Sequence, residues 1–226
     1  MKGEMIEFKA NGDTYNGYLS SVKGGAPAII VLQEWWGLVQ HIKDLCDRFA
    51  AAGFTSLAPD LYKGKKTSSP DEAGKLLMAL NIAESERILR GAIYTLLAHA
   101  ACASKTVGVI GFCMGGQLSL YAASTNPEKV SACVDFYGIH PNVEPPIEQL
   151  KAPVLGFFAE KDQFVNAHAV EALRERLQKA GKQHEFHIYA GVDHAFFNDT
   201  RPEVYNAEAA TDSWNRTLEF FRRNVK

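Results

Sequence analysis

Apolar residues along this chain fall into short continuous runs, and segments with apolar positions at helical spacing lie between them. Runs of this length predict buried strands at residues 28–32, 106–110, 132–137 and 154–158. Two further strands are predicted at residues 54–58 and 185–189. Ahead of them, residues 5–10 and 15–22 alternate in polarity around Asn11-Gly12-Asp13, which predicts an opening hairpin.

Helical spacing predicts helices at residues 41–52, 70–80, 84–99, 117–123, 167–180 and 203–223. We expect Gly53 and Gly181 to end two of these helices and Asn166 to cap one. Strands that alternate with helices of this length imply right-handed crossovers, so the fold class is α/β with a mostly parallel sheet and helices on both faces.

Length and charge narrow the choice of function. No linker, repeat or low-complexity tract divides the 226 residues, so we expect a single domain over residues 1–226. The formal net charge is −2, whereas nucleic-acid binding would leave a basic surplus. We expect no membrane span, no signal peptide and no metal, and a cytoplasmic protein.

Four cysteines are scattered without the spacing of a metal or redox motif, which favours reduced thiols. Cys46 and Cys102 fall in helix-like segments and Cys133 falls in a strand-like one, and we expect all three to be structural. Cys113 differs from them because it stands between a predicted strand and a predicted helix, in Gly111-Phe112-Cys113-Met114-Gly115-Gly116. This pattern is typical of a nucleophile elbow, whose tight turn requires small flanking residues.

In parallel sheets, ligand chemistry gathers where the strands end. The nucleophile Cys113, the acid Asp162 and the base His194 each follow a predicted strand, in the chain order of an α/β-hydrolase triad. The base would generate the thiolate, and the acid would orient the imidazole. The backbone N–H groups of Met114 and Trp35 are the candidate oxyanion-hole donors.

Each of these assignments has alternatives. His140 also follows a strand and could be the base, and Asp135 or Asp193 could be the acid. Glu34 follows a buried strand beside two tryptophans, where a carboxylate is costly unless it is paired or functional. A salt bridge or a helix-terminus contact would also explain it.

These residues resemble the dienelactone hydrolase (carboxymethylenebutenolidase) family. The matching segments run in family order over nearly the whole chain: Gln33-Glu34-Trp35-Trp36-Gly37, Pro59-Asp60-Leu61-Tyr62, the cysteine elbow, 156–162 and Gly191-Val192-Asp193-His194-Ala195-Phe196. The resemblance implies an α/β-hydrolase fold without a large lid, no cofactor and a monomer that opens enol lactones. It also implies that Glu34 contacts the resting thiol and takes its proton when substrate displaces the partner of Glu34.

The chain departs from the family where the substrate carboxylate is held. The best-studied members use two arginines, whereas this chain has Lys63-Gly64-Lys65-Lys66 at one position and Asn198 at the other. Arg201 or the lysines could substitute, although lysine lacks the bidentate fork. Aromatic residues could line a site for flat substrates or could be plain core; they are Trp35, Trp36, Phe136, Tyr137 and Phe196.

The leading hypothesis is a cysteine-dependent carboxylic ester hydrolase that acts on lactones or small activated esters. One alternative is a broad esterase that also takes other acyl or phosphoester substrates. The other is a non-catalytic, redox-responsive binding protein with Cys113 as an oxidisable thiol. A sensor does not need the acid, so the set of Cys113, Asp162 and His194 favours an enzyme.

Overall fold

The computed structural model describes residues 2–226, in which eight strands form one sheet. The strands are β1 (Glu4–Ala10), β2 (Asp13–Ser20), β3 (Ala26–Leu32), β4 (Thr55–Pro59), β5 (Cys102–Phe112), β6 (Val130–Phe136), β7 (Val154–Ala159) and β8 (His184–Tyr189). The helices are α1 (Gln40–Ala51), α2 (Pro70–Met78), α3 (Ile82–Ala98), α4 (Met114–Thr125), α5 (Ala167–Lys179) and α6 (Ala207–Asn224), with a 3-10 turn at Ile147–Gln149.

The strands lie in the order β1-β2-β4-β3-β5-β6-β7-β8. β1 and β2 form the predicted hairpin, and β2 pairs antiparallel with β4. All other neighbours are parallel, with β5 paired to β3 on one side and to β6 on the other. The prediction of a mostly parallel sheet is confirmed, and no inserted lid domain interrupts the alternation of strands and helices in residues 2–226.

Both faces of the sheet are covered, because successive side chains of a strand point to opposite faces. In β3, Ile30 and Leu32 pack into the core shared with α3 and α4. Ile29 and Val31 pack into the second core, which includes residues of α1 and α6. The continuous apolar run in β3 therefore reflects burial on both sides.

Two elements begin four residues away from the start that the sequence predicts. Strand β5 begins at Cys102, so this cysteine lies in a strand and not in a helix. Helix α6 begins at Ala207 because the Asn206 side chain accepts the N–H of Ala209 at 2.9 Å and caps it there. Among the helices of residues 2–226, none combines the length and the apolar character needed to cross a bilayer.

Candidate active site

The turn between β5 and α4 holds Cys113 in an unusual backbone conformation. Its φ is 53° and its ψ is −118°, a region that side-chain-bearing residues rarely adopt. The N–H of Cys113 donates to the carbonyl of Phe136 at 2.9 Å, and its carbonyl accepts the N–H of Ile139 at 3.1 Å. The segment that follows β6 thus fixes the turn, with the half-buried thiol at the carboxyl end of the sheet.

Glycine is required on both sides of this turn. A Cβ at Gly111 would lie 1.8 Å from the carbonyl oxygen of Gly115. A Cβ at Gly115 would lie 2.5 Å from the carbonyl oxygen of Leu32 and 2.6 Å from that of Gln33. Real Cβ atoms do not approach backbone this closely, so the predicted need for small residues at 111 and 115 is confirmed.

The structure brings His194 and Asp162 together at the same edge. Nδ1 of His194 lies 2.6 Å from Oδ2 of Asp162, although 32 residues separate them in the chain. The other oxygen of Asp162 accepts the N–H groups of Phe164 and Val165, both at 2.8 Å. The acid is fully enclosed, while the His194 side chain is 14% exposed and so remains open to a reactant.

Electrostatics favour the charged forms of this pair. Burial lowers the pKa of His194, but its interactions with Asp162 and with the Cys113 thiol outweigh burial and raise that pKa to about 10. Burial likewise opposes ionisation of Asp162, and the hydrogen bonds from His194, Val165 and Phe164 overcome it and lower its pKa. The site therefore stabilises the imidazolium, the form that His194 reaches once it has taken the thiol proton.

The rival residues lie elsewhere. Nε2 of His140 is 3.1 Å from the carbonyl oxygen of Leu77, and its Nδ1 accepts the N–H of Asn142, so His140 fastens α2 to the loop after β6. Asp193 is exposed. Asp135 is completely buried, and neither of its carboxylate oxygens has a hydrogen-bond partner of ordinary geometry in residues 2–226.

Glu34 is 1% exposed, and Oε2 of its carboxylate accepts the side-chain N–H of Asn198 at 2.8 Å. The Asn198 carbonyl oxygen in turn accepts the Thr200 hydroxyl at 2.6 Å and the Thr200 N–H at 3.1 Å. The residue at the position of the family's second arginine is therefore a neutral amide that is hydrogen bonded at both ends. Glu34 itself has a neutral partner, and no salt bridge joins it to another residue within 2–226.

The candidate oxyanion-hole donors are free. Neither the N–H of Met114 nor that of Trp35 donates to another group of the described chain. The close approach of Gly115 to the backbone of Leu32 and Gln33 brings the start of α4 against the loop that carries Trp35. Met114, the first residue of α4, and Trp35, in the loop after β3, thus lie on two segments that approach each other next to the elbow, as the oxyanion-hole hypothesis requires.

The predicted substrate-binding residues divide into two groups. Trp36, Asn198 and Arg201 line a cavity of about 310 Å³ together with hydroxyl-bearing Thr67, Ser68 and Thr200. Tyr137 and Phe196 are fully buried, so neither presents surface to a substrate in this structure. Their aromatic character reflects the core beneath the site.

The lysines lie apart from that cavity. Nζ of Lys63 is 2.6 Å from the Glu84 carboxylate in a solvent-exposed ion pair. Lys65 and Lys66 line a separate cavity next to α2. Arg201 is the cation that lines the first cavity, with its Nε bonded to Glu203 and its guanidinium 5.8 Å from the Trp36 ring centre.

Sequence reasoning missed two aromatic neighbours of the site. Phe164 is 61% exposed, and its ring centre lies 5.1 Å from the imidazole of His194. The hydroxyl of Tyr62 donates to the sulfur of Met114 at 3.1 Å, directly behind the elbow. An aromatic residue two positions after the candidate acid was the available signal for Phe164, because a loop after a strand end is a common place for ligand contacts.

Comparison with known proteins agrees with this geometry. The model of the dienelactone hydrolase family matches residues 15–225. The chain is 40% identical to Protein usf of Aquifex pyrophilus over 226 residues, which is 97% of this chain and 98% of that protein. It is 36% identical to a candidate carboxymethylenebutenolidase of Aquifex aeolicus, covering 99% of this chain and all of that protein.

Solved structures show the same architecture. A candidate dienelactone hydrolase from Klebsiella pneumoniae superposes with a TM-score of 0.86 at 29% identity, covering 97% of this chain and 98% of that one. A dienelactone hydrolase-like promiscuous phosphotriesterase from metagenomic libraries also gives a TM-score of 0.86, over 99% and 98% of the two chains. At 20% identity, the second likeness shows the fold alone.

Proposed function

The chain belongs to the dienelactone hydrolase family, and from that premise we propose that it cleaves lactones and small activated esters through a thioester on Cys113. The family shows the coarser activity, which is hydrolysis of carboxylic esters or lactones. The observation that carries the finer proposal is the 2.6 Å contact between His194 and Asp162 beside the cysteine elbow.

In the proposed first step, His194 takes the Cys113 proton and the thiolate attacks the carbonyl carbon of the substrate. The resulting oxyanion accepts the N–H groups of Met114 and Trp35. The acyl C–O bond then breaks, and the imidazolium returns its proton to the leaving oxygen. Asp162 stabilises the imidazolium throughout.

In the second step, His194 deprotonates a water molecule, which attacks the thioester and releases the carboxylate and the Cys113 thiol. Glu34 is the second proton acceptor in this proposal. It is a buried carboxylate in the loop after β3, and this loop contacts the start of α4. A substrate that disturbs its hydrogen bond to Asn198 would free it to take the thiol proton.

The substrate class follows from the charge of the site. Asn198 is neutral and hydrogen bonded at both ends, Lys63 is paired with Glu84, and Lys65 lies in another cavity. We therefore propose that neutral aryl esters or lactones are better substrates than a dienelactone carboxylate. Trp36 and Phe164 supply aromatic surface for such groups.

The test compares kcat/KM for a dienelactone carboxylate and a neutral aryl acetate on one preparation, with the Cys113→Ala and Cys113→Ser variants beside it. We expect the alanine variant to lose at least about 10⁴-fold and the serine variant to be severely impaired. Turnover retained by Cys113→Ala would overturn the thioester mechanism. A strong preference for the dienelactone would instead assign carboxylate binding to Arg201.

The same assay distinguishes an enzyme from a binding or redox-sensing protein. Ester turnover that disappears when the Cys113 thiol is alkylated requires an enzyme, whereas a sensor would show alkylation with no turnover to lose. Intact-mass measurement during turnover should show the acyl group on the wild-type chain and not on Cys113→Ala.

A further inference from the structure

Tyr137 stands between the two hydrogen bonds that fix the elbow. Its preceding residue, Phe136, accepts the N–H of Cys113, and Ile139 donates to the Cys113 carbonyl. The N–H of Tyr137 itself donates to the carbonyl of Phe157 in β7 at 2.8 Å. The backbone of residue 137 is therefore fastened to the nucleophile and to the strand that leads to Asp162.

This fastening holds Tyr137 in a strained conformation, with a φ of 40°. Such strain persists only where the surroundings over-determine it, and it clusters at functional sites. Cys113 and Ala195, the neighbour of His194, are two other non-glycine residues with positive φ in this structure. Three strained residues thus surround one reaction centre.

The side chain points into the same centre but is closed off from solvent. The ring centre of Tyr137 lies 4.9 Å from that of His194 and 5.3 Å from that of Phe196. The residue is fully buried, and its hydroxyl has no hydrogen-bond partner of ordinary geometry in residues 2–226; the backbone of Phe197 partly offsets the rise in the pKa of Tyr137. A buried hydroxyl without a partner is destabilising, and phenylalanine would fill the same space without that cost.

The groups around the hydroxyl are anionic when ionised. Burial, and then the charges of Glu34, Cys113 and Asp162, raise the pKa of Tyr137 well above its usual value. The imidazole of His194, whose protonated form is stabilised, packs against the ring of Tyr137. The phenol therefore keeps its proton near neutral pH, and it is a donor that lacks an acceptor.

We propose that Tyr137 is a further catalytic residue, whose hydroxyl donates a hydrogen bond to the Cys113 thiolate once the thiol loses its proton. The inference rests on the proposed function, because it takes Cys113 as the nucleophile. No bond to Tyr137 forms or breaks. The hydroxyl finds its acceptor only during the reaction, which explains why it is unpaired in the resting site.

The test is the Tyr137→Phe variant, which keeps the ring and removes the hydroxyl. We measure the rate of Cys113 alkylation by iodoacetamide against pH, together with kcat and KM for the aryl acetate. The profile should move to higher pH by about one unit and kcat should fall about tenfold, the effect of losing one hydrogen bond to a charged group. KM should stay unchanged, because Tyr137 has no surface exposed to substrate.

Tyr18→Phe is the matched control. Its hydroxyl is also on a buried tyrosine, but it donates to Asp47 at 3.1 Å, away from the elbow. We expect this variant to lower the melting temperature and leave the alkylation profile in place. Tyr137→Phe should shift the alkylation profile. Its melting temperature should be equal to or higher than that of wild type, since the substitution removes an unpaired polar group.

An unchanged alkylation profile and kcat in Tyr137→Phe would overturn the inference and leave a purely structural tyrosine. This result differs from failure of the proposed function, because alkylation needs no turnover. If the wild-type chain reacts at Cys113 but hydrolyses no ester, the function fails, and the shift in the Tyr137→Phe profile still decides the role of the hydroxyl.

Discussion

Two buried aspartates at the ends of neighbouring strands show opposite behaviour. Asp162, after β7, accepts hydrogen bonds from His194 and from the N–H groups of Phe164 and Val165, and its pKa is lowered. Asp135, in β6, has no partner of ordinary geometry, and burial raises its pKa to about 7, offset only in part by the Gly138 backbone. Burial penalises both charges, so the hydrogen bonds decide which carboxylate is ionised.

The largest effect is expected on the activity of the Asp162→Asn variant. Asp162→Asn removes the charge that orients and stabilises the His194 imidazolium, and we expect kcat/KM for an aryl acetate to fall about 10³–10⁴-fold. Asp135→Asn is the matched control and should stay within about twofold of wild type. Equal losses in both variants would mean that Asp162 has no special role.

The second-largest effect is expected on the free energy of unfolding when Asp135 is replaced. Its folded pKa is raised above the unfolded value, so folding grows less favourable as pH rises from about 4 to about 7 and the penalty stays constant above that. Asp135→Asn should therefore be more stable than wild type by about 2–4 kcal/mol at pH 8. Urea unfolding at pH 5 and pH 8 measures this, and a gain that does not grow with pH would show that Asp135 stays ionised.

The pairing of His194 with Asp162 has the opposite pH dependence. The His194 pKa is raised to about 10, so its stabilising contribution is complete below about pH 6.5 and is lost as pH rises through about 10. We expect wild type to exceed His194→Gln in stability by about 1–3 kcal/mol at pH 6 and by much less at pH 10.5. A constant difference across this range would contradict a charged pair.

The smallest effect is expected at Phe164, whose ring lies against His194 but is mostly exposed. Phe164→Ala should change the free energy of unfolding by no more than about 0.5 kcal/mol. KM for an aryl ester should rise several-fold, whereas KM for an alkyl ester of similar size should not. Equal changes for both esters would indicate a general disturbance of the loop.

Most of the fold could be predicted because several inner strands of the sheet contain continuous apolar runs. A run such as that of β3 has one physical explanation, burial on both faces, and its order with the helices selects the parallel sheet. The start of α6 could not be placed by apolar spacing, since the Asn206 cap decides it. Cys102 was misplaced because a strand edge and a helix end look alike over a few residues.

The site could be predicted where a functional residue comes shortly after the end of a strand. Cys113, Asp162 and His194 each follow a strand, and the structure places the latter two in hydrogen-bonding contact. The contact between Glu34 and Asn198 joins residues 164 positions apart, and no local sequence pattern predicts it. Burial of Tyr137 was equally hidden, because an aromatic residue after a strand suits a core and a cleft alike.

The sheet order has a consequence for how activity is lost on mild heating. Cys113 follows β5, an inner strand flanked by β3 and β6, whereas His194 follows β8, a half-exposed edge strand that pairs only with β7 in the sheet. Edge segments open locally at a lower free energy than inner strands, which exchange their amide protons only on global unfolding. Opening of β8 alone would carry the base away from an intact elbow. Inactivation should therefore precede the loss of tertiary structure and reverse on cooling.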